Sequence, residues 1–498
     1  MPVLTISCLA AFFAADPPKP KFTISKETTY ITEPLRADGV PDYVGALNEP
    51  LKSIRPEDNA AVLLVQAMGR EAASEKIATE FHRLLRMERP PEKGDFLISF
   101  QSFLKRKGIN EDEKTKEEFE AGFLKPWRSA EHPLIAEYVR ANEAPLRLAI
   151  EASKRKRCLT PYVSPDDPPM IVTIEIGMVQ ECRTIARLLI LRALNSAGEG
   201  RFEAAFDDLD ALHRLAGLFE AESRTIIELL VAHALRNLAL QTDRILAFES
   251  GVEEATLRKR AKAAASLPAP KGVIDCFDQT ERLSLLNMTL YSMVYGAKVL
   301  DMKAKAPAVS FDGVAIDEAM RTMNGFVDRY VKAMRAKPEG GGETVGQIED
   351  ELSAKARAAS ERKSTFFLLR PALPPHPRGP QAAFGQAYAE TLTSMLLPAV
   401  GMAVQSEYRA TARRRLTALA YALGAWKRKH GSYPETLDAK AFDLPPDTVI
   451  DPFTTQPFAY EIKEGKRRIV GKGTDPTNDL NAVIGKPAAP PQHILDLP

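Results

Sequence analysis

Residues 198–212 read GEGRFEAAFDDLDAL, and this stretch decides the fold class. A turn of small and polar residues, Asn195 to Gly200, leads into Phe202, Phe206, Leu209, Leu212, Ala216 and Phe219, which recur at steps of three and four. That spacing is one stripe of an amphipathic helix. The segment before it (Ile185, Leu188, Leu189, Leu194) and the segment after it (Ile227, Leu230, Val231, Ala234, Leu238, Ile245) are apolar on broad faces. Helices joined by turns this short pack antiparallel, so residues 175–248 are expected to form an α-hairpin stack.

Working outward, helical periodicity predicts further helices over about 57–87, 95–106, 113–122, 134–154, 253–266, 274–302 and 311–336, with Asp58 as a cap for the first. Pro90-Pro91 closes the first hairpin-like unit. The run EGGGE at 339–343 reads as a joint, and RPALPPHPRGP at 370–380 holds five prolines that forbid regular helix. A long helix is expected over 381–430, with a kink at Pro398. After Gly431 the character changes to short β-like runs, 458–462 and 468–470, among Pro, Asp and Gly turns. The fold class read from this pattern is mostly α: an irregular antiparallel helical stack with a small C-terminal α+β unit. Its organisation is a signal segment over 1–15, an extended leader over 16–56, a helical body over 57–370, the proline-rich break at 371–380, and a long helix with a β unit over 381–498.

A chain of 498 residues with 45% apolar and 27% charged residues has the composition of an ordinary globular protein and buries a core unaided. The formal net charge of +1 supplies no global field toward nucleic acid or an anionic membrane, so the expected partners are proteins. The four cysteines, Cys8, Cys158, Cys182 and Cys276, form no C-x-x-C pair, which argues for buried thiols rather than a zinc site. The run VLTISCLAAFFAA at 3–15, followed by DPPKPKF, has the length of a secretory apolar region and is too short to span a bilayer. Export to the periplasm or envelope is the resulting expectation, with a cytoplasmic helical scaffold as its alternative. Beyond that leader, no run of 18 unbroken apolar residues predicts a transmembrane helix.

The catalytic signatures with a local pattern, G-x-S-x-G, H-E-x-x-H, Walker A and the dinucleotide glycine motif, do not occur. None of the seven histidines pairs with another at helical spacing, so a histidine site would have to be assembled by tertiary folding. Asp207, Asp208 and Asp210, placed opposite the Phe202 stripe, and Asp275, Asp278 and Glu281 form acidic clusters of the type that holds Mg²⁺ when two face each other. A solvated helix face is the simpler explanation of both clusters. In the tail GKGTDPTNDLN, Asp475, Asn478 and Asp479 supply hard oxygen ligands at short spacing and are the calcium candidates, although the same residues make ordinary turns.

Two resemblances add to this reading. GEGRFEAAFDDLDAL resembles the small-residue turn of a tetratricopeptide repeat, but no second 34-residue unit accompanies it. The C-terminal carriers are LTALAYALGAWKRKHGSYPETLD at 416–438, with Gly431, Tyr433 and Pro434, then Asp451, Pro452, Pro457 and Tyr460, then Gly471 to Asp479. This segment, about one-seventh of the chain, resembles the globular end of type II secretion major pseudopilins. The resemblance implies a helix leading through a turn to a small sheet, with Tyr433 and Tyr460 capping it, Pro434 stopping the helix, and a calcium-binding loop at the end. It departs from the family in standing after some 400 residues of other protein. The helix also carries Arg409 and Arg413 to Arg415 where the family has an unbroken apolar segment, so polymerisation is not implied. The whole chain also resembles a group of planctomycete-type helical proteins without an established activity, through Asp58-Asn59-Ala60-Ala61, residues 192–215, Glu281-Arg282 and the same ending. The function expected is that of a non-catalytic envelope or secretion-associated interaction protein. The alternative is an enzyme whose site is assembled between helices.

Overall fold

The computed structural model describes residues 21–296, 311–336, 344–361, 375–396, 400–463, 466–471 and 494–497. The signal segment at 1–15 and the calcium candidates Asp475, Asn478 and Asp479 lie outside them. From residue 21 onward the segment read as a leader is docked: α1 (Tyr43–Asn48) buries Tyr43, Val44 and Leu47. The first hairpin is α2 (Ala60–Met68) and α3 (Ala78–Leu85). Its cap is Asn59, whose side chain accepts from Ala61 N at 3.2 Å, and not Asp58, which pairs with Arg55 and Lys156. Gly69 separates the pair with φ +69°, and a Cβ there would strike the Phe96 ring at 2.6 Å.

The next helices are α4 (Phe100–Lys107), α5 (Glu113–Ala121), α6 (Pro133–Ala141) and α7 (Glu143–Ala152). The last two replace one continuous helix over 134–154. Between them the Asn142 side chain leaves the helical pattern to exchange hydrogen bonds with both backbone groups of Ile98. The stack anticipated at 175–248 consists of α8 (Gly177–Gly198), α9 (Phe202–Glu222) and α10 (Ile226–Leu246). Glu220 pairs with Arg236 while His213 pairs with Asp243, so α9 and α10 run antiparallel. Thr225 and Glu228 form a capping box that starts α10.

After α11 (Glu254–Ala265) the chain makes α12 (Val273–Cys276), one π-helical turn over Phe277–Glu281, and α13 (Arg282–Tyr295). Then come α14 (Gly313–Arg335), α15 (Val345–Glu361), α16 (Pro380–Leu396) and α17 (Val400–His430). Gly431, in the left-handed region at φ +77°, ends α17 three residues before Pro434. The strands β1 (Ala459–Lys463), β2 (Lys466–Val470) and β3 (Ile494–Asp496) form one antiparallel sheet in that order. Tyr460 donates to Pro434 O at 3.1 Å, which ties the sheet to the turn after α17.

Among the described residues two large apolar cores result, with a small third cluster of Leu229, Val273 and Cys276. The first draws on α2 to α11 and is completed by Leu416, Leu419 and Leu423 of α17 with Phe442, Phe458, Ile469 and Leu495. The β unit therefore shares its core with the helices. The second core gathers α1, α13, α14 and α16, with Tyr43, Tyr291, Met323 and Tyr330 at its centre. Trp426 is half-buried, its ring tilted against His430 at 4.4 Å and edge-on to Phe442 at 5.8 Å. Cys158, Cys182 and Cys276 are buried free thiols. No helix among the described residues is long and apolar enough to cross a membrane.

Candidate functional site

The acidic clusters do not assemble. Asp208 is buried and receives two bonds from Arg192, at 2.9 and 2.6 Å, while Asp210 takes Arg260 at 2.6 Å. Burial pushes the Asp208 carboxyl up, and Arg192 only partly opposes it. Glu281 is turned inward to accept from Ile226 N at 3.1 Å, and its carboxyl is likewise raised by burial. Among the described residues no group of three His, Cys, Asp or Glu side chains is disposed to hold a metal ion.

Asp278 does reach a site. It stands in the π-helical turn, in the wall of a cleft of about 1040 Å³ bounded by α13, α14 and the segment 26–30. Isolated π turns interrupt the regular bonding of a helix and recur at functional sites. Here the turn brings Asp278 and Arg282 into register, with Arg282 donating at 2.7 Å to Asp278 and at 2.7 Å to Asp328 of α14. Arg335 reaches Asp278 from the far end of α14 at 3.3 Å. The Arg282 guanidinium also lies over the Tyr30 ring, 4.6 Å from its centroid. Tyr30 itself has φ +64°, a left-handed conformation that a tyrosine adopts at a cost. Asn324 holds that segment in place through its Nδ2, which donates to Thr28 O at 2.8 Å.

The middle of the cleft wall is Gly325, inside α14. A helix-interior glycine gives up about 1 kcal/mol relative to alanine, so it calls for a reason. Elsewhere the reason is close packing: a Cβ on Gly385 would lie 2.0 Å from Ala315 O, and one on Gly424 would lie 2.2 Å from Ala247 O. Around Gly325 nothing stands within 4 Å, so its missing side chain leaves open room in the cleft. The lining carries five cations (Lys26, Arg282, Arg321, Lys332, Arg335) and three carboxylates (Glu27, Asp278, Asp328). Lys26 and Lys332 are exposed, and no carboxylate lies within 4 Å of either among the described residues.

Two further polar groupings lie between helices. In the first, buried Asp243 of α10 accepts from His213 Nε2 at 2.6 Å, from Tyr421 Oη at 2.5 Å and from Arg260 at 3.2 Å. Burial alone would raise the Asp243 carboxyl; these partners overcome it and hold the group at about 2. In the second, Ser406 Oγ lies 3.4 Å from His233 Nδ1, and His233 Nε2 lies 3.6 Å from Glu220. The order serine, histidine, carboxylate is that of a nucleophile relay. The 3.6 Å step is longer than a hydrogen bond, Arg236 holds Glu220 at 2.7 Å, and burial pushes the His233 imidazole down. No protein-family model, curated protein or solved structure matches the chain.

Sequence reasoning singled out Asp278 but missed Tyr30, Arg282, Gly325, Lys332 and Arg335 as one site. The Glu281-Arg282 pair and the Asp278/Arg282 spacing were the only local signals. The His213–Asp243 and Ser406–His233 contacts span 30 and 173 residues and leave no local trace.

Proposed function

We propose that this chain is a non-catalytic interaction protein that uses the α13–α14 cleft to recognise a carboxylate-rich segment of a protein partner. The observation that carries the reading is the lining: an excess of cations over carboxylates, two lysines with no carboxylate within 4 Å among the described residues, and room beside Gly325. Arg282 and Arg335 are fixed by Asp278 and Asp328, which makes a rigid rim, while Lys26 and Lys332 supply the free charge. The apolar run at 3–15 and the pseudopilin resemblance of about 411–479 support a place in the cell envelope or near a secretion apparatus. N-terminal sequencing of the native protein after fractionation tests the location, and a cytoplasmic protein beginning at Met1 would refute export. For the cleft, the test is binding of a fluorescent oligoglutamate peptide to the full chain. Affinity should fall with salt and drop at least about tenfold in Lys26→Glu/Lys332→Glu, because rim charges steer and orient an acidic ligand. Equal binding of oligolysine, or no response to the double reversal, would overturn the assignment.

A second reading, an enzyme with a site assembled between helices, is favoured by the Ser406–His233–Glu220 order. Covalent labelling of Ser406 by a fluorophosphonate, lost in His233→Ala, would establish it. An unlabelled protein would remove it.

A further inference from the structure

Helices α4, α5, α6 and α8 enclose a second cleft, of about 470 Å³. Its floor is aromatic. Phe100 of α4 stacks on Phe119 of α5 with centroids 4.1 Å apart, and Tyr138 of α6 meets both rings edge-on, at 5.2 and 6.1 Å. On α5 the residues Lys116, Phe119 and Glu120 fall at steps of three and four, so one helix face brings all three to the cleft.

Tyr138 is the member that calls for a partner. It is 2% exposed, yet its hydroxyl makes no hydrogen bond among the described residues. Buried tyrosines elsewhere in the protein donate: Tyr43 to Thr29 O at 3.0 Å, Tyr291 to Pro41 O at 2.9 Å, and Tyr421 to Asp243 at 2.5 Å. Leaving such a donor unmet costs free energy, and folded proteins rarely do so. Tyr138 lines the cleft, so a bound group can supply the missing acceptor. Burial pushes the phenol up, which keeps its proton in place for donation.

The cleft also carries four charges, two of which answer each other. Arg187 of α8 donates to Glu120 at 3.0 Å, with its guanidinium resting over the Phe119 and Phe123 rings at 5.3 and 5.2 Å. The other two have no counter-ion. Among the described residues no carboxylate lies within 4 Å of Lys116, and no cation lies within 4 Å of Glu111. Glu111 takes only the side-chain amide of Gln101, at 3.2 Å. The cleft thus offers one cation, one anion and one hydroxyl donor around three rings. An anionic ligand would meet repulsion from Glu111, and a cationic one from Lys116. A zwitterion satisfies both, and an aromatic ring suits the floor, because rings pack well edge to face. The volume is that of sites that enclose small molecules.

We infer that this cleft binds a free α-amino acid with an aromatic side chain, its carboxylate accepting from Tyr138 and Lys116 and its ammonium facing Glu111. The site is separate from the α13–α14 cleft and does not depend on its assignment.

Isothermal titration of the full chain with L-phenylalanine tests the inference. One saturable site is expected. Tyr138→Phe, which removes the hydroxyl alone, should weaken it about tenfold, the scale of one hydrogen bond to a charged group. Without ligand the same variant should melt at or above the parent temperature, because the lost hydroxyl had no partner to give up; a lower melting temperature would show that the hydroxyl holds the fold instead. Phenylpropionate, which lacks the ammonium, and phenethylamine, which lacks the carboxylate, should each bind several-fold more weakly than phenylalanine, as should L-leucine, which lacks the ring. Glu111→Gln should narrow the preference for phenylalanine over phenylpropionate, and Lys116→Gln the preference over phenethylamine; both residues are exposed, so the fold is kept. Lys125→Gln, an exposed cation outside the cleft, should bind as the parent does. No saturable binding of phenylalanine, binding left intact by Tyr138→Phe, or equal binding of phenylpropionate, phenethylamine or leucine would overturn the proposal.

Discussion

Replacing Asp243 by asparagine should be among the most damaging single changes in the first core. The carboxylate is 2% exposed and faces His213, Arg260 and Tyr421 at 2.6, 3.2 and 2.5 Å. Asparagine keeps the shape but removes the charge, so Arg260 loses one of its two carboxylates and keeps only Asp210. Breaking a buried pair in this way costs about 3–5 kcal/mol. A second route uses the displacement of the Asp243 carboxyl from its ordinary 3.8 to about 2. At about 1.4 kcal/mol for each pH unit of displacement, this is worth roughly 2 kcal/mol. The two routes bracket a loss of about 2–5 kcal/mol, read as a shift of the urea midpoint with unchanged slope. The sign of the pH effect is fixed as well. A carboxyl held low in the folded state stabilises fully above its ordinary value and loses that contribution as pH falls through the folded one. The parent should therefore lose stability between about pH 4 and pH 2 more steeply than Asp243→Asn does. A variant within about 0.5 kcal/mol of the parent, with the same acid limb, would refute the claim that this network holds α9, α10, α11 and α17 together.

Gly325→Ala should stabilise α14 by about 0.5–1 kcal/mol, because no neighbour stands in the way, while its methyl group narrows the cleft and weakens oligoglutamate binding. A melting temperature that falls would show that Gly325 has a packing role. Trp426→Ala should cost about 2 kcal/mol, below the 3–5 kcal/mol of a fully buried aromatic, since the ring is only half-buried between His430 and Phe442. Thermal melts of the β unit by near-ultraviolet dichroism measure it. For calcium, melting the full chain in millimolar calcium against chelator should leave the midpoint unmoved; a rise that Asp475→Ala abolishes would establish Asp475, Asn478 and Asp479 as ligands. The full chain is required because α17 and the β unit complete a core begun by α2 to α11.

Helix content and the antiparallel stack were legible because the apolar stripe of 202–219 repeats at a helical period and is preceded by the short Gly-containing turn at 195–200. The sheet after Gly431 was legible for the complementary reason, a switch to short runs among Pro and Asp. Boundaries moved where a side chain competed with the backbone, as Asn142 does between α6 and α7 and Asn59 does at the start of α2. The cleft was not legible because its defining contacts join Tyr30 to Arg282 and Asn324 to Thr28, across 250 residues or more. Gly325 and Gly424 look alike in the sequence, both glycines within helical stretches. Only the approach of Ala247 O to one, and of nothing to the other, separates a packing glycine from one that leaves space.

The order in which the two cores use the chain has a consequence for synthesis on the ribosome. The first core is opened by residues up to Ala265 and closed only by those from Ala412 onward, with most of the second core translated in between. At about 5–20 residues per second, the inner faces of α9 to α11 wait on the order of ten seconds for α17 to emerge. During that interval Leu235, Leu246, Leu257 and Ala261, all buried in the finished protein, are without the helix that later covers their side of the core. The nascent chain thus exposes the α17-facing side of its first core mid-synthesis, a stage at which a holding chaperone would protect it.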